Sequence, residues 1–161
     1  GFFPEVLPPE HRYDLIVFND VFEHLPDPGR MLEICEHRLN AGGLLVLNLP
    51  CSSGLFYGVA NLLDSVGLAD PLERLWQKSF PSPHISYFNS GNLQNLVQKR
   101  TSLGLIHQSS LRTLTANGLH ARIRTSTKEP MAALIFIATL VLVLFQSFLP
   151  ADILLQIYKK Q

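Results

Sequence analysis

Blocks of apolar and polar residues in the first third of the chain predict strand, loop, helix, turn and strand in that order. Residues 15–18 (LIVF) form a short apolar run after Asp14, which is typical of a central parallel strand with helices on both faces. Residues 19–27 are mainly polar and predict a loop, and residues 44–49 form the next apolar run before Pro50. This order requires a crossover connection and therefore parallel strands.

The predicted helix between these strands has a signal at each end. Asp27 suits the cap of its first turn, and Pro28 suits a first helical position. The apolar residues that keep helical spacing on one face are Met31, Leu32, Ile34, Cys35 and Leu39. Residues 40–43 (NAGG) predict a left-handed turn that ends the helix, because glycine adopts this conformation easily. We therefore interpret the glycine pair as a helix end and not as a phosphate cradle.

The rest of the chain predicts further elements from weaker patterns. Residues 1–11 are rich in proline and predict a loop, 55–66 an apolar helix, 81–89 (PSPHISYFN) a loop, and 90–103 a helix that Gly104 ends. Residues 105–114 predict a strand, 116–128 show little apolar pattern, and 152–160 (DILLQIYKK) predict a last strand. Ligands of open parallel sheets bind beyond the carboxyl ends of the strands. Residues 19–20 and 48–51 are therefore expected to face one site.

An uncharged apolar segment, residues 131–149, stands apart from these elements. Its 19 residues fall within the roughly 17–25 that span a bilayer as a helix. Three interpretations stay open: a transmembrane helix, a helix or hairpin in the membrane interface, and a buried element. Basic residues flank the segment on both sides, namely Arg122, Arg124 and Lys128 before it and Lys159 and Lys160 after it. This arrangement favours a segment that dips into the interface and returns.

Composition and charge narrow the class of protein. The 161 residues are 47% hydrophobic and 16% charged, with 13 basic and 13 acidic side chains. The chain is long enough for one domain with a core, and its balanced charge argues against nucleic acid as a partner. The two cysteines, Cys35 and Cys51, predict free thiols in a reducing, cytoplasmic compartment. Residues 1–30 show no signal-peptide pattern.

The elements around the first helix also form a known family pattern. Residues 13–50 read YDLIVFNDVFEHLPDPGRMLEICEHRLNAGGLLVLNLP. This stretch is similar to the second half of a class I S-adenosylmethionine-dependent methyltransferase domain, in which a strand, a loop such as EHLPDP, a helix and a Gly-Gly strand follow one another. Residues 84–105 resemble the later pattern of that family, and residues 152–160 resemble its closing strand. The resemblance implies an α/β fold with a Rossmann-like methyltransferase sheet, N-terminal strands missing, and an apolar helical insertion near the C-terminus.

Part of the family pattern is not found in this chain. The family's glycine-rich loop cradles the methionine part of the cofactor, yet the chain contains no G-x-G motif. The family's acidic residue for the ribose hydroxyls is not found either. We therefore expect a partial domain over residues 1–161, with core elements in 13–114 and 152–160. An intact relative would need roughly 60–80 further residues upstream.

The resemblance implies site residues next to the first predicted strand. Asn19, Asp20 and Val21 would contact the cofactor S-adenosylmethionine. His24 would take the proton from the methyl acceptor, with Glu23 beside it, because imidazole titrates near neutral pH. The structural alternative is that these residues solvate a strand end and hydrogen-bond their own loop.

Two further groups of residues follow from the same resemblance. His84, Tyr87 and Phe88 in the 81–89 loop would face the substrate, or else pack locally against the next helix. Asp20, Glu23 and His24 also resemble the E-x-x-E-H stretch of ubiquinone-biosynthesis O-methyltransferases, a candidate divalent-cation site with suitable ligands. Because the first position here is the shorter Asp20, we predict no metal.

The sequence thus predicts methyl transfer from S-adenosylmethionine to a small acceptor, with O-methylation favoured and the chain alone inactive. A lipophilic acceptor and a place at the inner face of the membrane follow if residues 131–149 contact lipid. The alternative function is a non-catalytic, membrane-attached scaffold with a degenerate methyltransferase fold. A dehydrogenase is a weaker hypothesis, because the EHLPDP loop and the Gly-Gly strand argue against it. No oligomeric state is predicted.

Overall fold

The structure, a computed structural model, describes residues 4, 7, 8, 10–112, 136, 137, 139–141, 143, 144 and 148–161. The strands are β1 (Tyr13–Asn19), β2 (Leu39–Pro50), β3 (Gly104–Leu111) and β4 (Ile153–Lys159). The helices are α1 (Pro28–Arg38), α2 (Leu55–Ser65), α3 (Asp70–Leu75) and α4 (Ser90–Arg100), and a short 3-10 turn covers Phe22–His24. The predicted α/β class is confirmed.

The four strands form one sheet in the order β1-β2-β4-β3. β1 and β2 are parallel, as the crossover through α1 predicts, and their register runs from Leu15 opposite Leu44 to Asn19 opposite Asn48. β4 lies between β2 and β3 and is antiparallel to both. The predicted last strand is therefore confirmed, and it occupies an internal position in the sheet.

α1 begins where its sequence signals place it, but it ends differently. The Asp27 carboxylate accepts a hydrogen bond of 2.9 Å from the Arg30 backbone N–H, and Pro28 occupies the first turn. The NAGG turn was predicted to end the helix, and this is wrong: α1 ends at Arg38 and β2 begins at Leu39. Gly42 has φ +77° within β2, at an irregularity where the register jumps from Leu39 to Leu44.

The core lies between one face of the sheet and helices α1 and α4. From Gly43 to Pro50, burial alternates along β2, so that every second side chain points into this layer. The fully buried members include Leu32 and Cys35 on α1, Leu45, Leu47 and Leu49 on β2, Leu93 and Val97 on α4, and Leu154 and Tyr158 on β4. Each such side chain contributes roughly 1.5–3 kcal/mol when fully buried, so this layer holds the strand ends in place.

One buried polar residue ties β4 to its neighbours. Gln156 is 0% exposed; its Nε2 donates to the Ser90 carbonyl at 3.1 Å and to Gln108 Oε1 at 2.7 Å. The Tyr158 hydroxyl donates to Gln156 Oε1 at 2.6 Å. The buried amide therefore has partners on β3, on β4 and at the start of α4.

The opposite face of β1 is open. Leu15 and Val17 are 54% and 52% exposed, and within the described ranges β1 pairs with β2 alone. The apolar run was predicted to have helices on both faces, and for the described part of the chain this is wrong. β1 is an edge strand there, and the side chains on its second face meet solvent.

Other boundaries differ from the predictions by a few residues. α2 ends at Ser65 and α4 at Arg100, and the cap of α4 is Asn89. α3 and the 3-10 turn were not predicted. β3 ends at Leu111, while residues 113 and 114 of the predicted strand and all of residues 116–128 lie outside the described residues.

The apolar segment 131–149 lies partly outside the described residues. Of its length, residues 136, 137, 139–141, 143 and 144 are described as helical, so the predicted apolar helical insertion is not confirmed as a whole. No helix in the described ranges is both long and apolar enough to cross a bilayer.

Candidate active site

A cavity of about 480 Å³ opens where the parallel strands end. Asp20 follows β1 and Cys51 follows β2, and both line it. Asp152, just before the antiparallel β4, closes the same edge. The cavity therefore lies beyond the carboxyl ends of the strands, where a ligand site is expected.

Asp20 turns the chain sharply at the end of β1. Its φ is +52°, a left-handed conformation that non-glycine residues seldom adopt and that is enriched at functional turns. Its N–H donates to the Asn48 carbonyl at 2.9 Å, which holds the turn against β2. Asn19 is hydrogen-bonded to Asn48 through the side-chain amides, and Val21 is 46% exposed. Of the three predicted cofactor contacts, Asp20 is the one that lines the cavity.

The 81–89 loop docks onto the 3-10 turn through main-chain hydrogen bonds. The N–H groups of Ile85 and Ser86 both donate to the Glu23 carbonyl, at 2.9 and 3.0 Å. This docking brings the ring of His84 against that of His24, with centroids 4.6 Å apart. Glu23, His24 and His84 thereby form one group at the cavity, and we call it the Glu23–His24–His84 cluster.

Glu23 is a buried carboxylate within this cluster. It is 1% exposed, and neither of its oxygens has a hydrogen-bond partner among the described residues. Its Oε1 lies 3.9 Å from His24 Nε2 and 3.8 Å from His84 Nε2. Burial raises the pKa of Glu23, and the Glu23 backbone N–H and, less strongly, the nearby His24 partly oppose that rise. A carboxyl group in this environment can exchange a proton or bind a cation.

The tautomer of His24 follows from its partners. Its Nδ1 lies 2.9 Å from the Pro83 carbonyl oxygen and 3.3 Å from Ser82 Oγ. A carbonyl oxygen can only accept, so Nδ1 carries the proton and donates it to Pro83. In the neutral ring Nε2 is then unprotonated, and its lone pair is free on the side of Glu23.

His84 has the same tautomer for a similar reason. The Tyr87 hydroxyl donates its proton to the Leu75 carbonyl at 2.9 Å, so it accepts from His84 Nδ1 at 3.0 Å. His84 Nε2 is thus also unprotonated in the neutral ring. Burial lowers the pKa of His84, with a further contribution from His24. Burial raises the pKa of Tyr87, so its hydroxyl stays a donor.

Aromatic rings hold the loop in this position. Tyr87 packs against Trp76 with centroids 5.0 Å apart and against Tyr57 at 4.7 Å. Tyr87 and His84, which were predicted to face the substrate, both line the cavity. Phe88 does not: it is 7% exposed, packs in the core against Phe22, and lies outside the cavity lining.

Several lining residues had not been predicted, among them Tyr57, Arg74 and Asp152. Tyr57 and Arg74 reach the cavity from α2 and α3, whose placement depends on tertiary packing. Asp152 does have a signal, because it directly precedes the closing strand. Its carboxylate accepts from the Phe56 N–H at 2.8 Å and so fixes the start of α2.

The close approach of Asp152 requires a glycine at the start of α2. A Cβ on Gly54 would lie 2.7 Å from Asp152 Oδ1 and 2.8 Å from Asp152 Cα. The latter is a backbone atom, so it could not move aside without shifting β4. Gly54 therefore allows α2 to begin against the strand and form one wall of the cavity.

Comparisons with known proteins agree with this architecture. A family model described as a methyltransferase domain matches residues 1–101. A search of curated proteins finds no significant match.

Solved structures show where the fold recurs. A protein from Galdieria sulphuraria, assigned as a sarcosine dimethylglycine methyltransferase, is 15% identical with a TM-score of 0.52, and the match covers 100% of this chain and 58% of that one. A cyclopropane synthase from Mycobacterium tuberculosis is 16% identical with a TM-score of 0.57, over 93% of this chain and 56% of that one.

A third structure with the same fold was solved with a ligand. It is a mycolic acid cyclopropane synthase in complex with SAH and CTAB, 15% identical with a TM-score of 0.57, over 94% of this chain and 56% of that one. The chain thus spans 56–58% of the length of these three proteins. The shared feature is the Rossmann-like α/β sheet.

Proposed function

Because the chain belongs to the methyltransferase-domain family, we propose that the protein transfers a methyl group from S-adenosylmethionine to a small acceptor. The observation that carries this proposal is the cavity at the carboxyl ends of β1 and β2, where Glu23, His24 and His84 meet. These groups accept protons, which is the chemistry that an attacking hydroxyl or amine requires.

Asp20 is the residue that we propose on the cofactor side, with Asn19 and Val21 shaping its turn. When bound, S-adenosylmethionine supplies an electrophilic methyl group on a positively charged sulfur. The Asp20 carboxylate at the cavity wall has the charge to attract that centre or the amino group of the methionine part. The left-handed turn at Asp20 places the carboxylate at this wall.

His24 is our candidate base on the acceptor side. Its Nδ1 proton is engaged by Pro83, so Nε2 is free to take the acceptor proton. The Glu23 carboxylate at 3.9 Å would stabilise the imidazolium that forms. His84 and Tyr87 line the same wall and would orient the acceptor, while Phe88 supports the loop from the core. An oxygen nucleophile fits a base of this kind, and methyl transfer needs in-line placement above all.

Replacement of His24 tests this assignment in an active, intact form of the protein. His24→Asn should lower kcat by roughly 10²–10⁴-fold, the usual contribution of a general base, while the Kd for S-adenosylmethionine measured by calorimetry changes less than threefold. The matched control is His37→Asn, since His37 is exposed on α1. Unchanged turnover in His24→Asn would rule out its role as base.

A second function rests on the apolar segment. Within 131–149, Ile137, Val141 and Leu144 are 60%, 47% and 68% exposed and have the i, i+4, i+7 spacing of one helix face. Phe148 is 86% exposed. This supports attachment to the inner face of a membrane, either by an enzyme with a lipophilic acceptor or by a non-catalytic scaffold. Binding of S-adenosylmethionine separates the two, since the scaffold would not bind it.

Vesicle flotation tests the membrane part of this proposal. The protein should float with vesicles that contain anionic lipid, and the double variant Val141→Ser/Leu144→Ser should stay in the soluble fraction. The control is Val59→Ser, which removes an exposed apolar side chain from α2. Equal recovery of all three proteins away from the vesicles would exclude attachment through this segment.

A further inference from the structure

The Glu23–His24–His84 cluster brings three acceptor atoms together without a donor among them. Glu23 Oε1 lies 3.9 Å from His24 Nε2 and 3.8 Å from His84 Nε2. One ligand atom from each residue falls within 4.8 Å of the other two. These separations are too long for hydrogen bonds, so with Glu23 ionised and both imidazoles neutral, three lone pairs converge on a space with no proton between them.

The outer partners of both histidines fix this arrangement. His24 Nδ1 donates to the Pro83 carbonyl at 2.9 Å, and His84 Nδ1 donates to the Tyr87 hydroxyl at 3.0 Å. Metal-binding histidines characteristically donate the second ring N–H to a carbonyl or similar acceptor, which sets the tautomer and orients the other nitrogen. Both histidines here are therefore preorganised to present Nε2.

The buried carboxylate supplies an independent reason to expect a cation. Glu23 is 1% exposed and both of its oxygens lack a partner in the described part of the chain. A buried charge without a partner costs several kcal/mol. A metal ion is the occupant that uses all three lone pairs at once.

We propose that Glu23, His24 and His84 bind one divalent transition-metal ion of the zinc class. Two imidazole nitrogens and one carboxylate oxygen form a ligand set that suits Zn²⁺ and Co²⁺. Bonds of about 2.1 Å allow two ligand atoms to lie up to about 4.2 Å apart. Both distances from Glu23 Oε1 satisfy this limit, and the three atoms lie within 4.8 Å of one another, so binding requires a small inward shift of the side chains. Three protein ligands leave coordination positions open toward the cavity.

The inference stands on geometry and does not depend on the proposed methyl transfer. The proposed site differs in one ligand from the site that the resemblance implies: His84 from the docked loop takes the place of Asp20. With an ion bound, His24 is a ligand and no longer a proton acceptor.

Metal binding can be measured directly on the purified, chelator-treated protein. Titration with Zn²⁺ by calorimetry should give one site per chain, and Co²⁺ should give the visible absorption of a four- or five-coordinate ion. The melting temperature should rise with Zn²⁺, because the ion joins the 3-10 turn to the 81–89 loop and binds the folded state.

Matched variants decide whether this cluster is the site. Glu23→Gln and His84→Asn should each weaken Zn²⁺ binding at least tenfold and abolish the rise in melting temperature, while His37→Asn on the exposed face of α1 behaves as the wild type. Circular dichroism checks that each variant is folded. If one of them is not, His24→Asn takes its place, because His24 is partly exposed. Absence of stoichiometric Zn²⁺ binding in the wild type would overturn the proposal. Zn²⁺ binding as tight as that of the wild type in all three cluster variants would also overturn it.

Discussion

Two tyrosine hydroxyls in this protein are buried in opposite circumstances. Tyr158 is 0% exposed, and its hydroxyl donates to Gln156 Oε1 at 2.6 Å. The Tyr13 hydroxyl is also buried but has no hydrogen-bond partner among the described residues. The same substitution at these two residues therefore separates a satisfied polar group from an unsatisfied one.

Tyr158→Phe should lower the free energy of unfolding by about 1–3 kcal/mol, because it leaves a buried amide oxygen without its partner. Tyr13→Phe should leave stability unchanged or raise it, since it removes a hydroxyl that was desolvated without compensation. Urea unfolding of both variants measures the difference. Equal destabilisation would mean that the Gln156 contact has no special contribution.

The two cysteines should differ strongly in reactivity. Cys35 is buried in the core, and burial raises the pKa of its thiol to about 12. The thiolate is the reactive species, so at pH 8 Cys35 should react with a thiol reagent only after unfolding. Cys51, which is partly exposed at the cavity, should react in the native protein.

A thiol-reagent titration checks this directly. The native protein should show one fast thiol per chain, and the second should appear in denaturant. Cys51→Ser should abolish the fast phase. Two fast thiols in the native wild type would contradict the buried position of Cys35.

At the scale of elements, the start of α4 depends on a reciprocal pair of hydrogen bonds. Asn89 Oδ1 accepts from the Asn92 N–H at 2.9 Å, and Asn92 Oδ1 accepts from the Asn89 N–H at 2.8 Å. Asn89→Ala should destabilise the protein by about 1 kcal/mol, the usual contribution of a cap. Asn95→Ala, on an exposed position of the same helix, should change stability by less than about 0.5 kcal/mol. Thermal and urea unfolding measure both, and a cost confined to Asn95→Ala would refute the role of the cap.

Local signals explain which elements could be predicted. Asp27 and Pro28 mark the start of α1 because capping depends on neighbouring residues. The NAGG turn was misassigned because the left-handed φ of Gly42 serves an irregular strand as well as a helix end. The position of β4 between β2 and β3 involves partners more than a hundred residues apart for β2, as in the pair Pro50 and Ile153. Propensity and spacing contain no information on such pairings.

The residues of the candidate site also differ in how far the sequence predicts their positions. Asp20, Glu23 and His24 were also named from the resemblance, and they follow a strand that the apolar pattern predicts. His84 and Tyr87 were named from a resemblance, and the docking of their loop on the Glu23 carbonyl explains why they reach the cavity. Aromatic character alone does not tell which side of a loop a ring will face. Phe88 was therefore assigned to the substrate side, although it lies in the core.

At the scale of the whole molecule, the open side of β1 is a surface through which the chain could associate with itself. Leu15 and Val17 are more than half exposed on an edge strand, and such edges pair readily with other chains. We expect the 161-residue chain to associate with itself as its concentration rises. Val17→Lys should weaken this association, because a lysine on an edge strand opposes pairing.

Sedimentation velocity over a range of concentrations tests the role of this edge. The control is Val59→Lys, which places the same charge on an exposed site of α2, and this variant should associate as the wild type does. Equal behaviour of the two lysine variants, or a wild type that is monomeric throughout, would contradict the expectation.

The internal position of β4 also has a consequence for biosynthesis. β2 and β3 do not touch in the finished sheet, because β4 separates them. At a translation rate of roughly 5–20 residues per second, the ribosome makes β4 several seconds after β2 has emerged. Until then the nascent chain holds β1 beside β2 with one apolar strand edge unpaired, and β3 has no place in the sheet. This interval is when a chaperone would find the chain most accessible.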